Sequence, residues 1–163
     1  AQCMRNQYFR TGDESIKLEY RKIFSSVSDI MDTDKNPSRM SAYSYEIANS
    51  TNWDEIREKR KSNAELLIRE LRKENIRLIQ RKSGHSDLYV AFMINDRDYK
   101  QSRLSSKGIF NTIIWPLTDK QKTVCQTAKK TEEYMLAAPC DQRYAPEDMI
   151  FIANEIVKAV KEK

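Results

Sequence analysis

The sequence predicts an α+β domain: a small, mostly antiparallel sheet of three to four strands covered by helices. Three observations carry this. Helical stripes of apolar residues at three- and four-residue spacing alternate with short continuous apolar runs. The stripes open on capping signals, at Asn52 with Glu55, at Thr118 with Gln121, and at Pro146. Hydrophobic residues make up 39% of the 163-residue chain against 33% charged, enough for one modest core.

The first stripe is Ile16, Tyr20, Ile23, Val27 and Ile30. It predicts an amphipathic helix over 13–32 that packs on the domain or on a partner. Two heptads are too few for a coiled coil, for which about 3–4 are wanted. Pro37 and its neighbours break this helix. Residues 1–38 therefore read as a helical arm and 39–163 as the domain proper.

A short Tyr- and Ser-rich segment, 41–49, leads to the Asn52 cap. The helix it opens runs to about Lys73 on the stripe Trp53, Ile56, Arg60, Asn63, Leu67 and Leu71. Residues 76–81 suit an edge strand, and Gly84 and His85 a turn. The run 88–94 is the strongest strand signal. Asp96 is placed to cap a helix over 97–107, with Gly108 at the left-handed position that ends it. Residues 109–115 read as a strand stopped by Pro116. A helix from Thr118 to about Lys130, a strand over 134–138, a loop over 139–145 and a last helix with stripe Met149, Ala153, Ile156 and Val160 complete the chain.

Several chemistries lack their residues. The glycines, at 12, 84 and 108, are isolated, so no Gly-rich loop cradles a phosphate. His85 is the sole histidine; it has Ser83 and Ser86 beside it but no nucleophile elbow. Cys3, Cys125 and Cys140 are widely spaced, which suits neither a disulfide framework nor a zinc site and fits a reducing, cytoplasmic setting. Cys140 reads as a small buried residue. Net charge is +5, from 29 Lys and Arg against 24 Asp and Glu. The positive residues are interleaved with acidic ones, so no nucleic-acid partner is expected. No apolar run reaches the length of a membrane span, and no leader segment is visible.

Two places suit contact chemistry. Arg60 and Asn63 share a helix face inside an apolar stripe. Either Arg60 snorkels and Asn63 satisfies nearby backbone, or the pair anchors a neighbouring loop or domain. The loop Pro139-Cys140-Asp141-Gln142-Arg143-Tyr144 also has two readings. Arg143 takes a carboxylate or phosphate while Tyr144 stacks on a ring, or Arg143 pairs with Asp141 and Tyr144 packs over the last helix.

Taken in order, these pieces resemble the C-terminal part of the DegT/DnrJ/StrS sugar aminotransferases over about residues 40–160. The matching segments are Met40-Ser41-Ala42-Tyr43-Ser44, Arg60-x-x-Asn63, Leu88-Tyr89-Val90, and Asp96-Arg97 leading to Leu104-x-x-x-Gly108-Ile109. They continue with Ile114-Trp115-Pro116-Leu117, with 139–144, and with Asp148-Met149. The resemblance implies the small domain of a fold-type I enzyme, with 13–33 as the helix joining it to a large domain. That large domain carries the pyridoxal phosphate, its Schiff-base lysine and most of the phosphate cup. The implied substrate is a nucleotide-linked keto sugar, and the implied assembly a homodimer. No cofactor-binding or catalytic residue is then expected in this chain, which opens on Ala1 and reads as a piece of a longer polypeptide. Arg60, Asn63, Asn111, Trp115, Arg143 and Tyr144 become candidate substrate or interdomain contacts. The chain departs from the family where many members carry a histidine, in the segment here occupied by Asn111 to Trp115.

Overall fold

Local signals dictate most helix ends. In the computed structural model, which describes residues 2–34, 39–80, 86–114 and 116–162, Asn52 accepts a hydrogen bond from the Glu55 amide at 3.2 Å. The Thr118–Gln121 capping box forms in both directions. The chain divides into two compact units, Ala1–Thr51 and Asn52–Lys163. That division falls later than the break expected between residues 38 and 39.

The N-terminal unit opens with α1 (Gln2–Thr11), which carries no apolar stripe and was not anticipated from the sequence. Gly12, at φ +69°, turns the chain, and Asp13 caps α2 (Glu14–Thr33) through the Ser15 amide. Tyr20 is buried, with ring centres 6.0 Å from Tyr8 and 6.1 Å from Phe24. Further along α2 the stripe is open: Val27 is 46% exposed and Ile30 61%. Residues 42–50, expected only as a short segment, form α3 (Ala42–Ser50), capped by the Ser41 hydroxyl. The expected break at Pro37 lies outside the described residues.

In the C-terminal unit, α4 (Trp53–Lys73) and α8 (Pro146–Lys161) pack on each other and on the sheet. The sheet is smaller than the sequence suggests. Among the described residues it has two strands, β1 (Tyr89–Met93) and β2 (Met135–Pro139), antiparallel, with Val90 opposite Ala138 and Phe92 opposite Leu136. The segments expected as a third and fourth strand make one isolated bridge each among the described residues, Leu78 with Phe92 and Thr112 with Ala137. The second fails as a strand because it curls. The Asn111 amide bonds to the Ile109 carbonyl, and the Asn111 carbonyl accepts from Gln101. Phe110 points to solvent instead of packing on the sheet.

Between the strands lie α5 (Arg97–Ser106), α6 (Asp119–Val124) and α7 (Gln126–Tyr134). Asp96 precedes α5 in the left-handed region, φ +51°, and its side chain makes no cap bond, contrary to the sequence expectation. Short polar Asp tolerates that conformation. Gly108 takes φ +81° as expected. The helix expected over 118–130 is broken at Cys125, where Thr123, Val124 and Cys125 form a run of weak helix formers, and it resumes to Tyr134. The core gathers Leu67, Leu71, Phe92, Leu136, Met149 and Ile156, all essentially inaccessible. Among the described residues no helix is long and apolar enough to cross a membrane.

Candidate functional site

Helix α4 turns one polar pair toward the core side of its stripe. Asn63 is buried at 1% exposure, a position that demands partners for its amide. Its Nδ2 donates to the Asp141 carbonyl at 2.9 Å and the Tyr144 carbonyl at 3.1 Å. One turn earlier, Arg60 Nε donates to Gln142 Oε1 at 2.7 Å. The loop between β2 and α8 is thereby clamped onto α4. Pro139 ends β2 and Pro146 opens α8, so both ends of the loop are also fixed. Asp148 accepts from the Ala145 amide at 2.8 Å and closes the last turn. Cys140 is buried, as expected, and its amide bonds to the Leu88 carbonyl.

Within the loop, Asp141 holds Arg143 in a fork. Arg143 Nε donates to Oδ1 at 2.9 Å and Nη2 to Oδ2 at 2.7 Å. The Arg143 amide donates to the same Oδ1 at 2.9 Å. Arg143 beside it holds the Asp141 carboxyl below its ordinary range. The Arg143 guanidinium is pushed up in turn. Its side chain is 72% exposed while that of Asp141 is 6% exposed, so an anchored cation faces solvent. Tyr144 is half-buried against the core, and burial pushes its phenol up. Tyr89 lies close enough to act on the charges of both Arg143 and Tyr144.

The pair Arg60 and Asn63 thus anchors a neighbouring loop, and Arg143 pairs with Asp141. Asp141 and Gln142, absent from the candidate residues read off the sequence, are what Arg60, Asn63 and Arg143 hold. The sequence offers Asp141 as one possible partner of Arg143, whereas nothing in it marks Gln142. Asn111 is not among the residues that bond to this loop. It is 6% exposed, and its side-chain Oδ1 and Nδ2 have no hydrogen-bond partner among the described residues. Trp115, Ser83, Gly84 and His85 lie outside the described residues.

The arrangement offers two guanidinium groups, one buried carboxylate and two phenol rings. It suits recognition of anionic oxygens beside a ring or sugar. Among the described residues no group of three or more His, Cys, Asp and Glu could hold a metal ion.

Two stability expectations follow from this geometry. Because the folded-state Asp141 carboxyl is depressed, its contribution is present above the ordinary Asp range and lost as pH falls through the folded value. Thermal midpoints recorded downward from about pH 6 should drop below about pH 4. The drop should be smaller in Asp141→Asn, and an identical profile for the two proteins would contradict the pairing. Replacing Asn111 by leucine of similar shape removes two unpaired polar atoms. It should raise the urea midpoint, by about 1 kcal/mol in stability. A loss of stability would show that the amide has a partner in solution.

In comparisons with known proteins, no family model matches the sequence and no curated protein matches it. Among solved structures the chain is similar to the crystal structure of a DegT DnrJ EryC1 StrS aminotransferase from Brucella abortus. Identity is 16% and the TM-score 0.46, over 62% of this chain and 32% of that one. The chain therefore spans about a third of that aminotransferase.

Proposed function

We propose that the chain serves as the small domain of a nucleotide-sugar aminotransferase-like protein, covering substrate and supporting domain or subunit contacts while the chemistry is carried elsewhere. The observation that carries this reading is the clamp. Two of the segments on which the sequence resemblance rests, Arg60-x-x-Asn63 and 139–144, are 78 to 82 residues apart yet bond to each other. They form one platform with Arg143 outward. Arg143 would meet a phosphate oxygen and Tyr144, with Tyr89, a ring. Asp141 keeps the guanidinium in place and offsets half of the local positive charge from Arg60 and Arg143.

On this reading pyridoxal phosphate is held outside the residues described, and the end of α8 is a poor place for it. The buried lysine, Lys100, is spent on the end of α8, where its Nζ faces the Glu162 carbonyl at 3.4 Å. Arg103 is paired with the Glu162 carboxylate there. A helix C-terminus carrying an added carboxylate repels a phosphate group. In this reading the cofactor and its lysine belong to a separate domain, and a homodimer would complete the site.

Titrating a nucleoside-diphosphate sugar into the labelled chain tests the platform. Amide shifts should concentrate at 141–144 and at Tyr89, saturate weakly, and vanish in Arg143→Ala. Absence of any shift at millimolar ligand would contradict a substrate-covering role for this loop. A chain that instead acted as a non-catalytic sugar-nucleotide or protein-binding module in its own right, if its ligand were the sugar nucleotide, would give tight binding in calorimetry.

A further inference from the structure

A second feature lies on the other side of β1, away from the clamp. The bridge between Leu78 and Phe92 is flanked by bonds from the Ile79 amide to the Ala91 carbonyl at 2.9 Å and from the Met93 amide to the Arg77 carbonyl at 2.8 Å. In that antiparallel pattern the bridging residues do not bond to each other, so the Leu78 N–H and C=O point away from β1. Neither has a backbone partner among the described residues. Among the described residues, 77–80 are therefore an open sheet edge.

Against this edge lies a cavity of about 500 Å³, walled by Ile68, Arg72, Ile76, Leu78, Gln80 and Val90. Ile76 and Val90 form a buried apolar floor. Ile68 and Arg72 also wall a second cavity, of about 680 Å³, so the two share a rim. The second cavity is lined by more basic than acidic residues: Lys61, Arg69, Arg72 and Lys73 against Glu65 and Asp87. Arg69 and Lys73 are both tied to Glu70, whereas Lys61 and Arg72 enter no ion pair among the described residues.

We propose that this edge and groove bind an extended acidic segment of a partner polypeptide, which adds a strand beside Leu78. The open edge calls for a second backbone, because alternating N–H and C=O groups are matched by a strand. The apolar recess takes one large side chain of that strand. Arg72, which lines both cavities and has no ion pair among the described residues, calls for a carboxylate beside that strand, and Lys61 in the second cavity for a further one. The site is independent of the role proposed for the clamp.

A fluorescent ten-residue peptide alternating valine and glutamate is a suitable probe, titrated into the full chain and followed by anisotropy and by amide shifts. Saturable binding is expected, with shifts at Leu78, Gln80, Ile68 and Arg72. Arg72→Glu, on an exposed helix position, should weaken it about tenfold or more at low salt. N-methylation of alternate peptide amides, which keeps every charge but removes the strand's donors, should abolish it. Equal binding of the N-methylated peptide would overturn strand addition, leaving charge attraction alone. Equal binding of a lysine-for-glutamate peptide would overturn the acidic specificity. No binding at millimolar peptide would overturn the site.

Discussion

Phe92→Ala should lower the stability of the C-terminal unit by about 3–5 kcal/mol. Phe92 is fully buried at the centre of β1, where it faces Leu136 across the ladder and Leu78 at the isolated bridge. Its ring is the largest fully buried side chain in the core. Among the described residues the sheet has two strands, with only the isolated Leu78 bridge on the far side of β1, so little is available to close over the void. The loss combines transfer of the ring to water with the cavity left behind, and it is large beside the roughly 5–15 kcal/mol of a whole domain. Urea unfolding followed by near-ultraviolet circular dichroism measures it. A loss below about 1 kcal/mol would mean that the Phe92 site is not packed as described.

Asn63→Leu should cost about 2–4 kcal/mol although it adds apolar character to an apolar stripe. Leucine approximates the shape of asparagine, so packing changes little. What changes is that the Asp141 and Tyr144 carbonyls lose their donor in a place largely closed to water. Each orphaned carbonyl costs about 1–3 kcal/mol, less whatever the loop recovers by opening to solvent. Opening has its own signature: amide exchange at Arg143 and Tyr144 should quicken even where the core remains protected. The midpoint should fall by on the order of 10 °C. Arg60→Ala, at a half-exposed position, should cost far less and leave Asn63 in place. If Asn63→Leu were neutral, the loop would be held by its prolines and by the Asp141–Arg143 fork instead.

These two residues also show which parts of the molecule were legible beforehand. Asn52, Thr118, Gly108 and Pro146 act within four residues of themselves, so helix ends could be read from spacing. Asn63 was visible as a polar residue in an apolar stripe, but its partners lie 78 and 81 residues away, beyond any periodicity. The sheet was over-read for the same reason. The apolar run at 109–115 looked like a strand, yet Asn111 bonds locally and to Gln101 and leaves only Thr112 to meet Ala137. Helix α1 was hidden because its sequence has no apolar stripe; Tyr8 meets Tyr20 on the next helix. Within the loop, the Asp141–Arg143 pairing was one of two open readings. The structure makes that pairing without removing Arg143 from solvent.

On the proposed reading, the platform formed by α4 and the 139–145 loop would recognise an anionic ligand while another domain carries the transamination chemistry. Borohydride reduction after incubation with pyridoxal phosphate, followed by intact mass measurement, tests this most directly. The predicted result is unmodified chain, with at most substoichiometric adducts scattered over exposed lysines. A stoichiometric adduct on a single lysine, Lys100 above all, would contradict the assignment of the chemistry to another domain.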